Sequence, residues 1–205
     1  MSTMHKTLPV AEAIESRRSI RKYSNEPVPP EDLDEILRLT SLAPSAWNLQ
    51  PWRIHVVTSS KLKQQLQEAA YGQSQVTAAP VVFVLVSDME DTLAHSEEII
   101  HPGASAVQRQ RQLETIKNTF GPMSVEERGY WGLAQANIAL GFLLLAAQGL
   151  GYATVPMLGF DPAKVKQLLG VPEHVKIAAM VPMGDADERG HSHHRHKLER
   201  IVVRH

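Results

Sequence analysis

The sequence predicts one domain of mixed helices and strands, built on a buried strand and a long apolar helix. Three observations predict it. The chain has 205 residues, 43% of them apolar, which is enough for a substantial core. Residues 81–86 read Val81-Val82-Phe83-Val84-Leu85-Val86, the unbroken apolar run of a strand covered on both faces and central in a sheet. Ser124-x-x-Glu127 is a capping box that opens a helix apolar all round through residues 138–147, so its second half is expected to be core.

The other elements follow in order. Residues 8–16 place Leu8, Ala11 and Ile14 at helical spacing between acids. Residues 25–29 form a turn, and Pro30 opens a helix as its first-turn proline, with acids behind it and Leu33, Ile36, Leu37 and Thr40 on one face. Residues 53–58 read as a strand and 61–70 as a helix, broken at 71–75. Residues 87–100 and 104–120 both read as helices; the second is highly polar and belongs on the surface. The long helix stops at Gly149 and Gly151. A short strand at 152–155, a turn at 156–160, a helix capped by Asp161-Pro162 and ended by Gly170, and a strand at 175–181 complete the domain. Residues 92–120 are a helical excursion that could serve as a lid. Residues 185–205 are a C-terminal extension, polar to 197 and then apolar enough over 198–203 to pair with something.

Composition excludes several functions. The net charge is −1 and the pI about 6.8, so bulk charge implies no nucleic-acid face. The absence of cysteine removes disulfides, thiolate nucleophiles and cysteine-ligated metals, and fits a reducing, cytoplasmic setting. No secretory signal is visible in residues 1–9, and the apolar run 138–147 is too short to span a bilayer. Gly149-x-Gly151 ends a helix instead of following a strand, so no Rossmann site is expected. There is no phosphate-binding loop of the Gly-rich Lys-Ser/Thr kind and no Gly-x-Ser-x-Gly elbow. The histidines at 191, 193, 194 and 196 read as a solvated segment, not a metal site.

Two segments carry the chemistry. Residues 43–52, Ala-Pro-Ser-Ala-Trp-Asn-Leu-Gln-Pro-Trp, combine two prolines, two tryptophans and three neutral hydrogen-bonding side chains. The run is either a stiff helix-to-strand connector or a ligand-contacting loop. Residues 17–22 carry four cations in six positions. They either complement a helix C-terminus or, with Ser19, clamp a phosphate. Together with 72–75, 156–159 and Arg195, these elements suit a planar, phosphate-bearing cofactor better than an acid–base or nucleophilic centre.

Arg17-Arg18-Ser19-Ile20-Arg21, the 43–52 run, Ala79-Pro80 before the buried strand, Gly149-Leu150-Gly151 before Pro156-Met157-Leu158-Gly159-Phe160, and Arg195 resemble, in that order and over nearly the whole chain, the FMN-dependent nitroreductase family. The resemblance implies an α+β fold: a central, mostly antiparallel sheet surrounded by helices, with a C-terminal extension that adds to the partner's sheet. It implies a homodimer with two FMN sites at the subunit interface.

Carried over by residue, the resemblance puts Arg17, Arg18 and Ser19 on the FMN phosphate, with Arg195 and His193 from the tail. The family often has lysine at the position of His193. Arg21 is expected to face the N1/O2 edge of the flavin, where a cation stabilises the anionic reduced ring. Pro44, Ser45, Ala46 and Asn48 are expected to reach the flavin of the partner subunit. Gln73 is expected to bond the pyrimidine edge of the flavin. Pro156 and Met157 are expected to lie against one ring face, with the Leu158 and Gly159 N–H groups toward N5 and O4. Some members have glutamate where Leu158 stands. Trp47 is bulkier than the residue common there, and either shapes the substrate pocket or fills the interface. The implied activity is ping-pong hydride transfer from NAD(P)H through flavin N5 to a nitroaromatic, quinone or similar acceptor, with no catalytic side chain. The alternatives are a specialised enzyme of the same superfamily, such as a reductive dehalogenase, and a flavin-binding protein without significant turnover.

Overall fold

The computed structural model describes residues 7–205. Residues 1–6, part of the stretch read for a secretory signal, lie outside the described residues. The fold is α+β. Four strands, β1 (Trp52–Val57), β2 (Val81–Ser87), β3 (Ala153–Thr154) and β4 (Lys176–Gly184), form an antiparallel sheet in the order β1-β2-β4-β3. Every residue of β2 is buried, as its apolar run requires, and it pairs along its length with β1 and β4.

Helices pack on both faces. On one side lie α3 (Ser60–Ala69), the short α4 (Gln75–Ala78) and α8 (Pro162–Leu169), over Val82, Val84, Val86 and Met180. On the other, α2 (Pro30–Ser41) and the 25-residue α7 (Val125–Gly149) cover Val81, Phe83, Leu85, Ala179 and Val181. Three of these helices start as their residues direct. Pro30 occupies the first turn of α2, the Asp161 carboxylate accepts from Ala163 and Lys164 N–H, and both halves of the Ser124–Glu127 capping box are made. Gly170 ends α8 in the left-handed conformation.

Three expectations need correction. The helix expected over 87–100 is only α5 (Met89–Ala94): at His95 the backbone leaves helical geometry, and the ring nitrogen Nδ1 lies 2.9 Å from the Asp91 carbonyl. Residues 198–203 form no strand within the chain; Leu198–Ile201 is a four-residue exposed turn of helix. The second half of α7 is not core all round. Ala139, Leu143 and Ala147 are fully buried, but Ile138 and Phe142 remain 40% exposed. The sheet and α2 cover one side of this helix. Its other side joins Val10, Ala13, Leu39 and Leu42 along an apolar groove of about 450 Å³. By length and composition alone α7 would suffice to cross a membrane; here its buried face packs on α2, β2 and β4.

Candidate functional site

The first helix, α1 (Val10–Ser16), delivers the cations. It ends at Arg17, whose backbone turns to φ −55°, ψ 127°. The chain then runs extended beside β3, with Ser19 bridged to Thr154 and the Ile20 N–H donating to the Thr154 carbonyl at 3.2 Å. Arg17 is thereby half-buried. Its Nη1 is fully enclosed and has no hydrogen-bond partner among the described residues. Burial and the nearby guanidinium groups of Arg195 and Arg18 all hold its pKa below the ordinary arginine value. Among the described residues none of these three arginines forms an ion pair with a carboxylate. An enclosed donor amid like charges is a costly arrangement that an incoming anion would relieve.

The polar tail that follows β4 docks on this run. Ser24 N–H donates to the Asp185 carbonyl, Tyr23 bridges Ala186, Asp187 N–H donates to the Lys22 carbonyl, and Arg21 N–H donates to the Glu188 carboxylate at 2.6 Å. Gly190, at φ 67°, carries the tail over the run; a Cβ there would sit 2.8 Å from Ile20 Cδ1 and 3.0 Å from Arg18 Cβ. His193 then reaches Arg18 and Arg17. Sequence reasoning missed Glu188 and Gly190. The glycine was a usable signal; the glutamate, one acid in a polar stretch, was not.

A second group of loops meets beyond β3 and β4. The Met157 N–H and carbonyl are both paired with Met180 and its side chain is 5% exposed in the core, so this residue has no free donor for a ligand and its side chain does not lie in the open loop. Pro156, Leu158 and Gly159 are exposed, and the N–H groups of Leu158 and Gly159 have no protein partner among the described residues. Gln73, in the turn where Tyr71 and Gly72 adopt positive φ, donates through Nε2 to the carbonyls of Ala70 and Gly159. Its amide therefore braces the 156–160 loop.

The 44–50 loop is strained. Trp47, Asn48 and Gln50 all have positive φ, 52°, 60° and 45°, a region that asparagine tolerates and that costs energy for tryptophan and glutamine. The surroundings hold it there. Ala46 N–H donates to Gln135 Oε1, Gln50 N–H to Ser45 Oγ, and Asn48 Nδ2 reaches the Ile99 carbonyl at 3.4 Å. The Trp47 indole stacks on Trp131 at 6.1 Å and meets Phe120 edge-on at 5.7 Å. Ile99, Gln112 and Phe120 belong to the 92–120 excursion, with Gln112 and Phe120 on α6 (Ala106–Phe120), so this segment packs on the loop. Gln135, on α7, carries no sequence signal that sets it apart from other surface glutamines. Among the described residues no cluster of His, Asp or Glu has the geometry of a metal site.

The molecule thus presents a cation cluster with one enclosed guanidinium nitrogen, a loop with free N–H donors and an aromatic loop. The sequence model described as the nitroreductase family matches residues 14–185. The chain is 49% identical over 203 residues to a Thermus thermophilus protein named NADH dehydrogenase, covering 98% of this chain and 99% of that one. It is 29% identical to a Bacillus subtilis FMN reductase [NAD(P)H], over 88% of this chain and 67% of that one. A protein from Exiguobacterium sibiricum assigned as a nitroreductase, solved in complex with FMN, superposes with a TM-score of 0.90 at 26% identity, covering 99% of this chain and all of that one.

Proposed function

We infer the function of this chain from the family to which it belongs, the nitroreductase family. It is an oxidoreductase, and its cofactor is FMN with NAD(P)H as electron donor. Within that class we propose that it reduces nitroaromatic, quinone or similar acceptors in the cytoplasm, donor and acceptor using one open site in turn.

FMN when bound supplies the hydride chemistry; the chain supplies binding, orientation and electrostatics. Arg17, Arg18, Ser19, Arg195 and His193 hold the phosphate. Arg21, its backbone fixed by Glu188, offers a cation to the pyrimidine edge. The free Leu158 and Gly159 N–H groups donate toward the central ring, on a loop that Gln73 braces. No side chain is required as a general acid, since the site is open to water.

The observation that carries this reading is the enclosed, unpartnered Nη1 of Arg17 between Arg18 and Arg195. A dianionic phosphate is the ligand such a cluster fits.

We further propose that the active form is a homodimer. The exposed apolar face of α7 with Val10 and Leu42 supports it. Pro44, Ser45, Ala46 and Asn48 then complete the site of the second copy, with Trp47 facing its pocket.

The test is direct. Purified protein should be yellow, release FMN on denaturation, and consume NADH or NADPH under low oxygen only when an acceptor is added. A colourless protein that takes up no FMN overturns the reading. A yellow protein that oxidises neither donor would be a flavin carrier.

A further inference from the structure

A β-bulge on β4 decides which face of the sheet Lys176 takes. Leu85 pairs with Ala179 but Val86 pairs with Ile177, so Ala178 is an extra residue on this strand. Two successive residues therefore face α7: Ala178 packs with Ala136 and Ala139, and Ala179 with Leu143 and Ala147. Ile177 turns to the α3–α8 side, and Lys176 returns to the α7 side. An unbroken strand would send Lys176 to the opposite face, because side chains alternate. On the α7 side its ammonium lies 4.5 Å from the centroid of the Tyr130 ring. Gly129 leaves room for the lysine stem: a Cβ there would sit 3.0 Å from Lys176 Cε and 3.3 Å from its Cγ.

This lysine borders a cavity of about 340 Å³. Leu133 and Phe160 give it apolar walls, and the exposed Tyr130 an aromatic one. Leu158, whose free N–H is proposed above to face the central flavin ring, lines it as well, so the cavity adjoins the proposed flavin site. Two lysines line the cavity and no acid does. Lys166 is occupied: its ammonium donates to the Glu173 carbonyl and stands 3.6 Å from the Glu173 carboxylate. Among the described residues Lys176 forms no ion pair with a carboxylate. The Tyr130 ring steadies its charge without neutralising it, since a ring quadrupole attracts a cation but carries no net charge.

We propose that this cavity is an acceptor subsite for planar aromatic carboxylates, in which Lys176 pairs with the carboxylate while Tyr130 and Leu133 contact the ring. The inference rests on the flavin reading above. A cavity with apolar walls, a cation lacking a counter-charge among the described residues, and no acid favours an anion over a neutral ligand of the same shape. A carboxylate paired with Lys176 leaves the rest of the ligand beside Leu158, on the side of the loop that carries the free N–H donors. The bulge, Gly129 and Tyr130 all set the position of this one ammonium, so the charge is in place before a ligand arrives.

The experiment compares reduction of 4-nitrobenzoate with that of the uncharged 4-nitrobenzamide by the holoprotein, using whichever of NADH and NADPH it oxidises, as the ratio of the two kcat/KM values. The ratio cancels flavin content, and its change between variants cancels the intrinsic difference between the two nitro groups. Lys176→Met should lower the ratio about tenfold, the worth of one charge-assisted hydrogen bond, and Lys176→Glu should lower it further. Lys176→Arg keeps the charge and should stay within about threefold of the wild type. Equilibrium dialysis of the oxidised holoprotein should show 4-nitrobenzoate bound more weakly by Lys176→Met in the same proportion. Equal ratios in the wild type, Lys176→Met and Lys176→Glu overturn the proposal and leave Lys176 as a packing partner of Tyr130. A yellow protein that oxidises NAD(P)H but binds no 4-nitrobenzoate overturns this proposal alone. A colourless protein that takes up no FMN overturns the cofactor reading and this proposal with it.

Discussion

The Gln73 side chain donates at 2.6 Å to the carbonyl oxygen of Gly159, joining two loops 86 positions apart. It also donates to the Ala70 carbonyl and accepts from Gln75 Nε2, so one amide holds the 71–75 turn and the 156–160 loop in fixed relation. Gln73→Leu should cost about 0.5–1.5 kcal/mol of stability in urea unfolding, the usual worth of a neutral hydrogen bond. If the loop carries the flavin contacts proposed above, FMN affinity falls with it. Unchanged urea unfolding and unchanged FMN affinity would make the bond incidental.

Arg17 should separate binding from stability. Its Nη1 is buried without a partner, beside two more cations. Replacing it by methionine removes an uncompensated charge, so the apoprotein should be as stable as the wild type or more so in urea. FMN affinity should fall roughly 10- to 150-fold, equivalent to about 1.5–3 kcal/mol for a charge-assisted hydrogen bond. Arg195→Ala should weaken FMN in the same direction. Loss of apoprotein stability in Arg17→Met would assign the arginine a structural task instead.

Arg128 ties three helices together. Its Nε and Nη2 meet the Glu90 carboxylate at 2.7 and 2.9 Å, and its Nη1 donates to the carbonyls of Met123 and Phe120. The guanidinium is 15% exposed and Glu90 32%. Arg128→Met should cost about 2–3 kcal/mol, since it strands a half-buried carboxylate and two carbonyls. Phe120 packs on Trp47, so tryptophan fluorescence should shift as well. A cost under about 0.5 kcal/mol in thermal and urea unfolding would contradict this.

His55, half-buried on β1 opposite Val84, has its pKa held below the ordinary histidine value by burial. The unfolded chain therefore binds this proton first as pH falls. The stability His55 contributes is present above its unfolded value of about 6.5 and is lost as pH drops through the folded value. The urea midpoint of the wild type should fall from pH 7 to pH 5, and that of His55→Val should fall less. Parallel curves would remove His55 from the acid response.

Deleting residues 197–205 spares Arg17, Arg18, His193 and Arg195 but removes the exposed Leu198, Ile201, Val202 and Val203. The expected result is a weaker dimer that loses FMN, measured by sedimentation and flavin absorbance on the same sample. A truncated monomer with full FMN would sink the shared site and return the 44–50 loop to a structural connector.

Local signals were legible in the sequence because they act over a few residues. The Ser124–Glu127 box, Pro30, Asp161-Pro162 and Gly170 each set a helix boundary through bonds or dihedrals within one turn. The unbroken run at 81–86 sufficed to bury β2, because a strand with no polar face has no side to give to water. What only the tertiary structure decided depends on atoms brought together from distant positions. Gln73 bracing Gly159, the 92–120 excursion gripping Trp47, and the tail laying Glu188 and His193 on Arg17–Arg21 are of this kind. So is the uncovered face of α7, since composition states that Ile138 and Phe142 are apolar but not which neighbour covers them. The sequence determined that the cations at 17–21 exist. Folding enclosed one of them beside Arg195 without a counter-charge, and it is that enclosure, a matter of position and not of residue type, that makes the cluster a site.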